Sequence, residues 1–137
     1  MIVLDTNIVL DLLVFQDPAT QPLQLLLHSG ALQWVATAPM RDELQRVLGY
    51  RQIVPRLAYY QRSAEEVLAQ FDRLVRLHVV SPKAGVTCAD PDDQKFIDLA
   101  VAHRATLLSK DRAVLCMAKR LLAMGVQVQP AIARRSV

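Results

Sequence analysis

Three short apolar runs, IVL at 2–4, LQWVAT at 32–37 and TLLS at 106–109, each lead into a stretch with helical spacing of apolar residues. HVVS at 78–81 and VQVQ at 126–129 add two further strand patterns. A strand followed by a helix returns to the sheet by a crossover, which makes the next strand parallel rather than antiparallel. The alternation therefore predicts an α/β fold, a three-layer α/β/α sandwich around a central, mostly parallel sheet. No repeat or linker interrupts it, so residues 1–130 are expected to form one domain, with 131–137 as a C-terminal tail.

The helical patterns have readable boundaries. After the cap-type residues Asp5, Thr6 and Asn7, IVLDLLV begins a helix; PLQLLLHSG (22–30) closes on Gly30 as a C′ residue. A turn at Pro39 precedes MRDELQRVLGY, whose Leu44, Val47 and Leu48 form one face. Residues 55–77 read as helical with a break near Arg62–Ser63, where Ser63 and Glu66 make a capping box. PKAGVTCA is the longest non-periodic connection. Phe96, Ile97, Ala100 and Val101 mark a helix running to His103 or Arg104, and Val114, Leu115, Ala118, Leu121 and Leu122 mark one ended by Gly125.

Composition bounds the class. The chain has 137 residues, 53% of them hydrophobic, enough for a substantial core. No apolar run approaches the ~18 residues that span a bilayer, and no basic leader precedes the first strand. Cys88 and Cys116 lack metal-type spacing and are expected to be buried free thiols. The expectation is a soluble cytoplasmic protein without membrane contact. A net charge of +3 suits a polyanionic partner only weakly. More telling, ten of the thirteen acids are Asp, a poor mid-helix residue but a good cap and hard-metal ligand.

Residues 90–98, DPDDQKFID, hold four of those aspartates. A helix start explains them in isolation: Asp90 as N-cap, Pro91 at N1, Asp92 and Asp93 near the positive end of the dipole. It does not explain why the first strand ends in Asp5 and the TLLS strand in Asp111. In parallel sheets ligands gather outside the carboxyl ends of the strands. With Glu43 early in the helix after LQWVAT, four acids from four segments are predicted to meet at one sheet edge. Convergent carboxylates repel unless a divalent cation offsets them, and Mg²⁺ and Mn²⁺ prefer oxygen ligands. Such an ion lowers the pKa of a bound water and neutralises charge on a phosphodiester; two ions ~3.5–4 Å apart stabilise both attacking and leaving oxygens. No Ser/His/Asp or Cys/His pairing and no Gly-rich phosphate loop competes for the role.

The segments IVLDTNIVLDLL, ELQRVL and DPDDQKFIDLAVAHRATLLSKD together resemble the PIN-domain ribonucleases, and within them the toxins of toxin–antitoxin pairs. The resemblance covers almost the whole chain. It implies a PIN-like fold and a Mg²⁺- or Mn²⁺-dependent endoribonuclease whose metal-binding, catalytic acids are Asp5, Glu43, Asp93 and Asp111. Asn7 and Ser109 match polar positions beside the site, and Asp92 replaces Asp93 as ligand if the helix begins one residue later. The resemblance further implies an RNA substrate, a small antitoxin protein as partner, and a homodimer.

Other residues have plainer readings. Asp98 lies about 140° around the helix from Asp93, which suits a solvated or supporting acid. Asp11 reads as the exposed face of the first helix, Glu43 with Arg46 alone as an i,i+3 surface pair, and Trp34 as core. His28, His78 and His103 lack ligand spacing. Arg134–Arg135 could touch RNA or remain solvated. Two rivals stand beside the nuclease: a non-catalytic PIN-like module binding RNA or protein, and a receiver-like domain with an acidic Mg²⁺ pocket. The second wants paired acids after the first strand, where this chain has Asp5 followed by Thr-Asn.

Overall fold

In the computed structural model, which describes residues 1–132, five parallel strands form one sheet in the order β3-β2-β1-β4-β5. They are β1 (Ile2–Leu4), β2 (Trp34–Thr37), β3 (Val75–His78), β4 (Thr106–Leu108) and β5 (Val128–Gln129). The helices are α1 (Thr6–Leu13), α2 (Gln21–His28), α3 (Ala38–Leu48), α4 (Val54–Tyr59), α5 (Ala64–Leu74), α6 (Gln94–His103), α7 (Arg112–Leu115) and α8 (Ala118–Ala123). Crossovers from β1 to β3 step one way along the sheet, and those reaching β4 and β5 step the other way. Right-handed connections then put helices on both faces, which is the three-layer α/β/α sandwich. Accordingly α1, α3 and α5 pack together, whereas α6 packs on β1 and β4 and α8 on β5.

Burial explains the strand compositions. Every residue of β1 and β2 is buried, as expected of strands covered on both faces. Trp34 of β2 meets Phe71 of α5 edge-on at 5.2 Å between ring centroids and belongs to the core. Ile132 packs, partly buried, against that core. Residues 133–137, with Arg134 and Arg135, lie outside the described residues.

Several boundaries differ from the sequence reading. Pro39 stands in the first turn of α3, where its missing N–H costs no bond, and not in a turn before it. The helix expected to reach Leu77 stops at Leu74, and the edge strand is Val75–His78. Register with β2 decides this, because Trp34 through Thr37 pair with Val75 through His78. Val79 and Val80 of the expected HVVS strand are left exposed, Val79 by 87%. The helix expected over Val114–Leu122 breaks at Cys116–Met117 into α7 and α8, which leaves Cys116 exposed while Cys88 is buried. Of VQVQ only Val128–Gln129 pairs.

Other signals hold. Gly30 (φ +79°) follows α2 and Gly125 (φ +85°) follows α8 in left-handed backbone. Ser63 accepts from the Glu66 N–H at 3.1 Å and caps α5. Asp11 is not on an exposed face: α1 is buried from Ile8 to Leu13, and the turn after β4 lays Lys110 against the Asp11 carboxylate as an ion pair.

Candidate functional site

The strand order reverses between β1 and β4, and the segments leaving these two strands carry Asp5 and Ser109–Asp111. Such a reversal opens a crevice at the carboxyl ends, because neighbouring connections leave to opposite faces. Backbone pairing ties the two segments directly: the Asp5 N–H donates to the Leu108 carbonyl at 3.1 Å.

Asp5 is 3% exposed and caps α1, its Oδ1 accepting from the Ile8 N–H at 3.0 Å. Its Oδ2 accepts from the hydroxyl of fully buried Ser109. The Ser109 Oγ in turn accepts from the Asp111 N–H at 3.0 Å, and Asp111 Oδ1 caps α7 through the Ala113 N–H at 2.9 Å. Burial pushes the Asp5 carboxyl above its ordinary range, against the opposing pull of Ser109 and the Ile8 N–H; Asp111 adds to the rise.

The aspartate cluster divides its labour. Asp90 Oδ1 accepts from the Asp92 N–H at 3.0 Å and caps a short 3-10 turn, Pro91–Asp93, so α6 starts only at Gln94. Asp93 occupies the N-cap position of α6 yet makes no capping bond. Its Oδ2 is buried without a hydrogen-bond partner. Burial, then the charge and close side-chain approach of Asp111, and then the charges of Asp90 and Asp5, hold its pKa up to about 7. Carboxylate oxygens of Asp90, Asp93 and Asp111 lie within 4.8 Å of one another. An orphaned buried oxygen among converging carboxylates is the arrangement a hard divalent cation satisfies, so the donor set fits Mg²⁺ or Mn²⁺.

Glu43 stands beside this group and not in it. Its Oε2 accepts from the Thr6 hydroxyl and its Oε1 from Lys95 Nζ at 3.0 Å. Those bonds link it to the residue after Asp5 and to the first turn of α6, and among the described residues Glu43 makes no ion pair with Arg46. Asn7 is exposed, with no side-chain hydrogen bond among the described residues. Asp92 is exposed too; its carbonyl accepts from Lys95, while its carboxylate stays outside the three-carboxylate group. Asp98 is neither solvated nor in the cluster. Its Oδ1 accepts from the Ala84 N–H and from Gln94 Nε2, both at 2.8 Å, and pins the 83–90 connection to α6.

The sequence marks Asp90 only as a cap and Thr6 only as a cap-type residue, and it gives Lys95 no role. The i,i+3 spacing of Asp90 and Asp93 was the available signal for the first. Nothing local announced the other two, since their partner Glu43 is 37 and 52 positions away. A cavity of about 410 Å³ lies at the far end of α1, bounded by Leu12, Leu13, Gln16 and Arg62 among others, and none of these acids lines it.

The family profile described as PIN domain matches residues 1–113, from β1 into α7, and so includes every carboxylate just described. Among curated proteins, none matches the chain. With most of its length matched, and with the parallel sheet and acidic edge in place, the chain belongs to the PIN-domain family, and its function is of the nuclease type.

Proposed function

We propose that this protein is a Mg²⁺- or Mn²⁺-dependent endoribonuclease, the toxin of a toxin–antitoxin pair, acting in the cytoplasm as a homodimer that a small antitoxin protein blocks. The observation that carries the catalytic part is the half-buried Asp93 carboxylate, whose Oδ2 is buried without a hydrogen-bond partner and crowded by Asp90 and Asp111. Asp5, Glu43, Asp93 and Asp111 would hold the ion, with Asp90 a further oxygen donor. When bound, it supplies a water of lowered pKa and charge to offset that of the phosphodiester.

The chain's own residues prepare that chemistry. Ser109 and the first turn of α1 fix both oxygens of Asp5, and Ala113 fixes Asp111. Thr6 holds Glu43 beside them, and Lys95 sets an ammonium at the rim where an RNA phosphate would approach. The supporting roles proposed for Asn7, Ser109 and Asp92 are of this positioning kind. The test is cleavage of RNA by purified protein with EDTA, Mg²⁺ or Mn²⁺. Cleavage that needs the ion and vanishes in Asp93→Asn supports the reading, and metal-independent or absent cleavage overturns it.

One observation favours a non-catalytic, RNA-binding alternative: Lys95 already neutralises Glu43 without any ion. That alternative expects RNA binding with no cleavage under any metal. For the toxin role, co-expression with the product of the neighbouring upstream gene is decisive. Inhibition of cleavage by that product supports it.

A further inference from the structure

Residues 44–64 contain four arginines (46, 51, 56 and 62), all three tyrosines of the chain (50, 59 and 60), and no acid. Those four positive charges exceed the whole net charge of +3, so the rest of the chain is slightly acidic. The segment is the end of α3, the turn after it, and α4. Two of its three tyrosines are presented outward: Tyr59 is 81% exposed and Tyr50 45%, while Tyr60 packs partly buried against the core. An exposed tyrosine loses apolar contact with water only if something stacks on it.

The packing beneath holds one of these rings, Tyr59. Arg56 lies 3.6 Å over the Phe15 ring, Phe15 meets Tyr60 at 5.7 Å, and Tyr60 meets Tyr59 edge-on at 5.0 Å. Arg56 is thereby committed to the protein. Arg46 and Arg51 are exposed, and among the described residues neither pairs with a carboxylate. Along α3, Arg46 lies one turn beyond Glu43 and Tyr50 just past the helix end, about 10 Å from Glu43 at 1.5 Å per residue. The surface thus begins next to the acidic edge and leads away from it.

One exposed tyrosine, Tyr50, between the unpaired Arg46 and Arg51, and a second, Tyr59, held by ring contacts, on a segment that carries no acid between Glu43 and Glu65, match one kind of polymer. We propose that the α3–α4 segment is a docking track for single-stranded RNA. Unstacked bases lie on Tyr59 and Tyr50, and Arg46 and Arg51 meet the backbone phosphates. Stacking tolerates any base, and the arginines make binding salt-dependent without reading sequence. A duplex, whose bases are already stacked, gains nothing from the tyrosines. The inference rests on RNA as the substrate, and it deepens that reading by adding a contact remote from the scissile bond.

The experiment measures binding of a labelled, unstructured 20-nucleotide RNA by fluorescence anisotropy in EDTA, where no metal-dependent cleavage occurs, with a 20-base-pair RNA duplex as comparison. Tyr59→Ala is expected to weaken single-strand binding by about tenfold, the loss of one stacked base, and to leave duplex binding unchanged. Tyr59→Phe keeps the ring and is expected to bind like wild type. Arg51→Gln is expected to lower the slope of log K against log salt by about 0.7. Wild-type binding by both Tyr59→Ala and Arg51→Gln overturns the proposal, as does a wild type that fails to bind the single strand. So does sedimentation in which Tyr59→Ala abolishes self-association with RNA affinity untouched, because the surface then serves a second copy of the chain. If RNA binds through this segment but no metal supports cleavage, the nuclease reading fails alone. If RNA is cleaved while Tyr59→Ala and Arg51→Gln both bind normally, the docking track fails alone.

Discussion

The Ser109 hydroxyl donates to Asp5 Oδ2 across 104 positions of sequence, joining the carboxyl ends of β4 and β1 inside a fully buried contact. A buried carboxylate with one acceptor left unsatisfied costs about 1–3 kcal/mol. Ser109→Ala is therefore expected to destabilise the protein by that amount, and to raise the Asp5 carboxyl further, since Ser109 is the largest influence holding it down. If Asp5 is a ligand, metal affinity should fall about 10–100-fold, the cost of losing a group that orients a ligand. Thermal melts with a Mn²⁺ titration check both parts. An unchanged affinity would remove Asp5 from the site.

Asp93→Asn should have the opposite sign on the metal-free protein. The carboxylate lies among Asp111, Asp90 and Asp5, and an amide removes that repulsion. A gain of about 0.5–2 kcal/mol is expected, as for other relieved functional sites. Millimolar Mg²⁺ or Mn²⁺ should raise the wild-type Tm and the variant's much less. If Asp93 only favoured the helix dipole, the variant would instead lose ~0.3–1 kcal/mol and the ion would change neither Tm.

The same residue sets a pH dependence. Its folded pKa, about 7, lies above the ordinary 3.8, so between those values the folded state binds more protons than the unfolded one. Stability of the metal-free protein contributed by this group therefore falls as pH rises from about 4 to about 7, and is flat beyond. Metal affinity should rise over the same window, because proton and cation compete for one oxygen. Denaturant titrations at pH 4.5, 6 and 7.5 check the first statement, with Asp93→Asn expected to flatten the trend. A wild-type stability that climbs across the window would refute it.

Lys95 holds Glu43 at 3.0 Å in a partly exposed pair. Removing the ammonium costs little stability, about 0–1 kcal/mol for such a pair. It also makes the edge more negative. Lys95→Met should accordingly bind Mn²⁺ a few-fold tighter, while RNA affinity drops. Calorimetric titration of the ion would expose the error if affinity instead fell.

Asp98 is a structural tie, and its variants should separate from those of the cluster. Asp98→Ala removes the acceptor for the Ala84 N–H and for Gln94, at about 1–3 kcal/mol. Asp98→Asn keeps an oxygen there and should cost less, with metal affinity near wild type. Hydrogen exchange at the Ala84 amide should accelerate in the alanine variant. Slow exchange there would mean the 83–90 connection is held by other bonds.

Local chemistry was enough for much of this protein. The βαβ alternation, the buried strands, the glycine stops after α2 and α8 and the Ser63 cap depend on neighbouring residues, so the sequence by itself determined the α/β class and the parallel sheet. It also singled out Asp5 and Asp111, because the first follows a strand directly and the second comes within three residues of one. What it left open was decided by distant partners. The start of β3 at Val75 follows from its register with Trp34, which no property of Val75 or Val79 reveals. Asp11 looked solvent-facing until the turn after β4 brought Lys110 to it. Of the four aspartates of 90–98 the sequence reads Asp90 as a cap, but only the fold leaves Asp92 solvent-exposed, leaves Asp93 half-buried with Oδ2 unpaired, and makes Asp98 a clamp on Ala84. The reason is physical: helix and strand tendencies are summed over a few adjacent residues, whereas a carboxylate's burial and charge neighbours are set by segments that meet only once the sheet has closed.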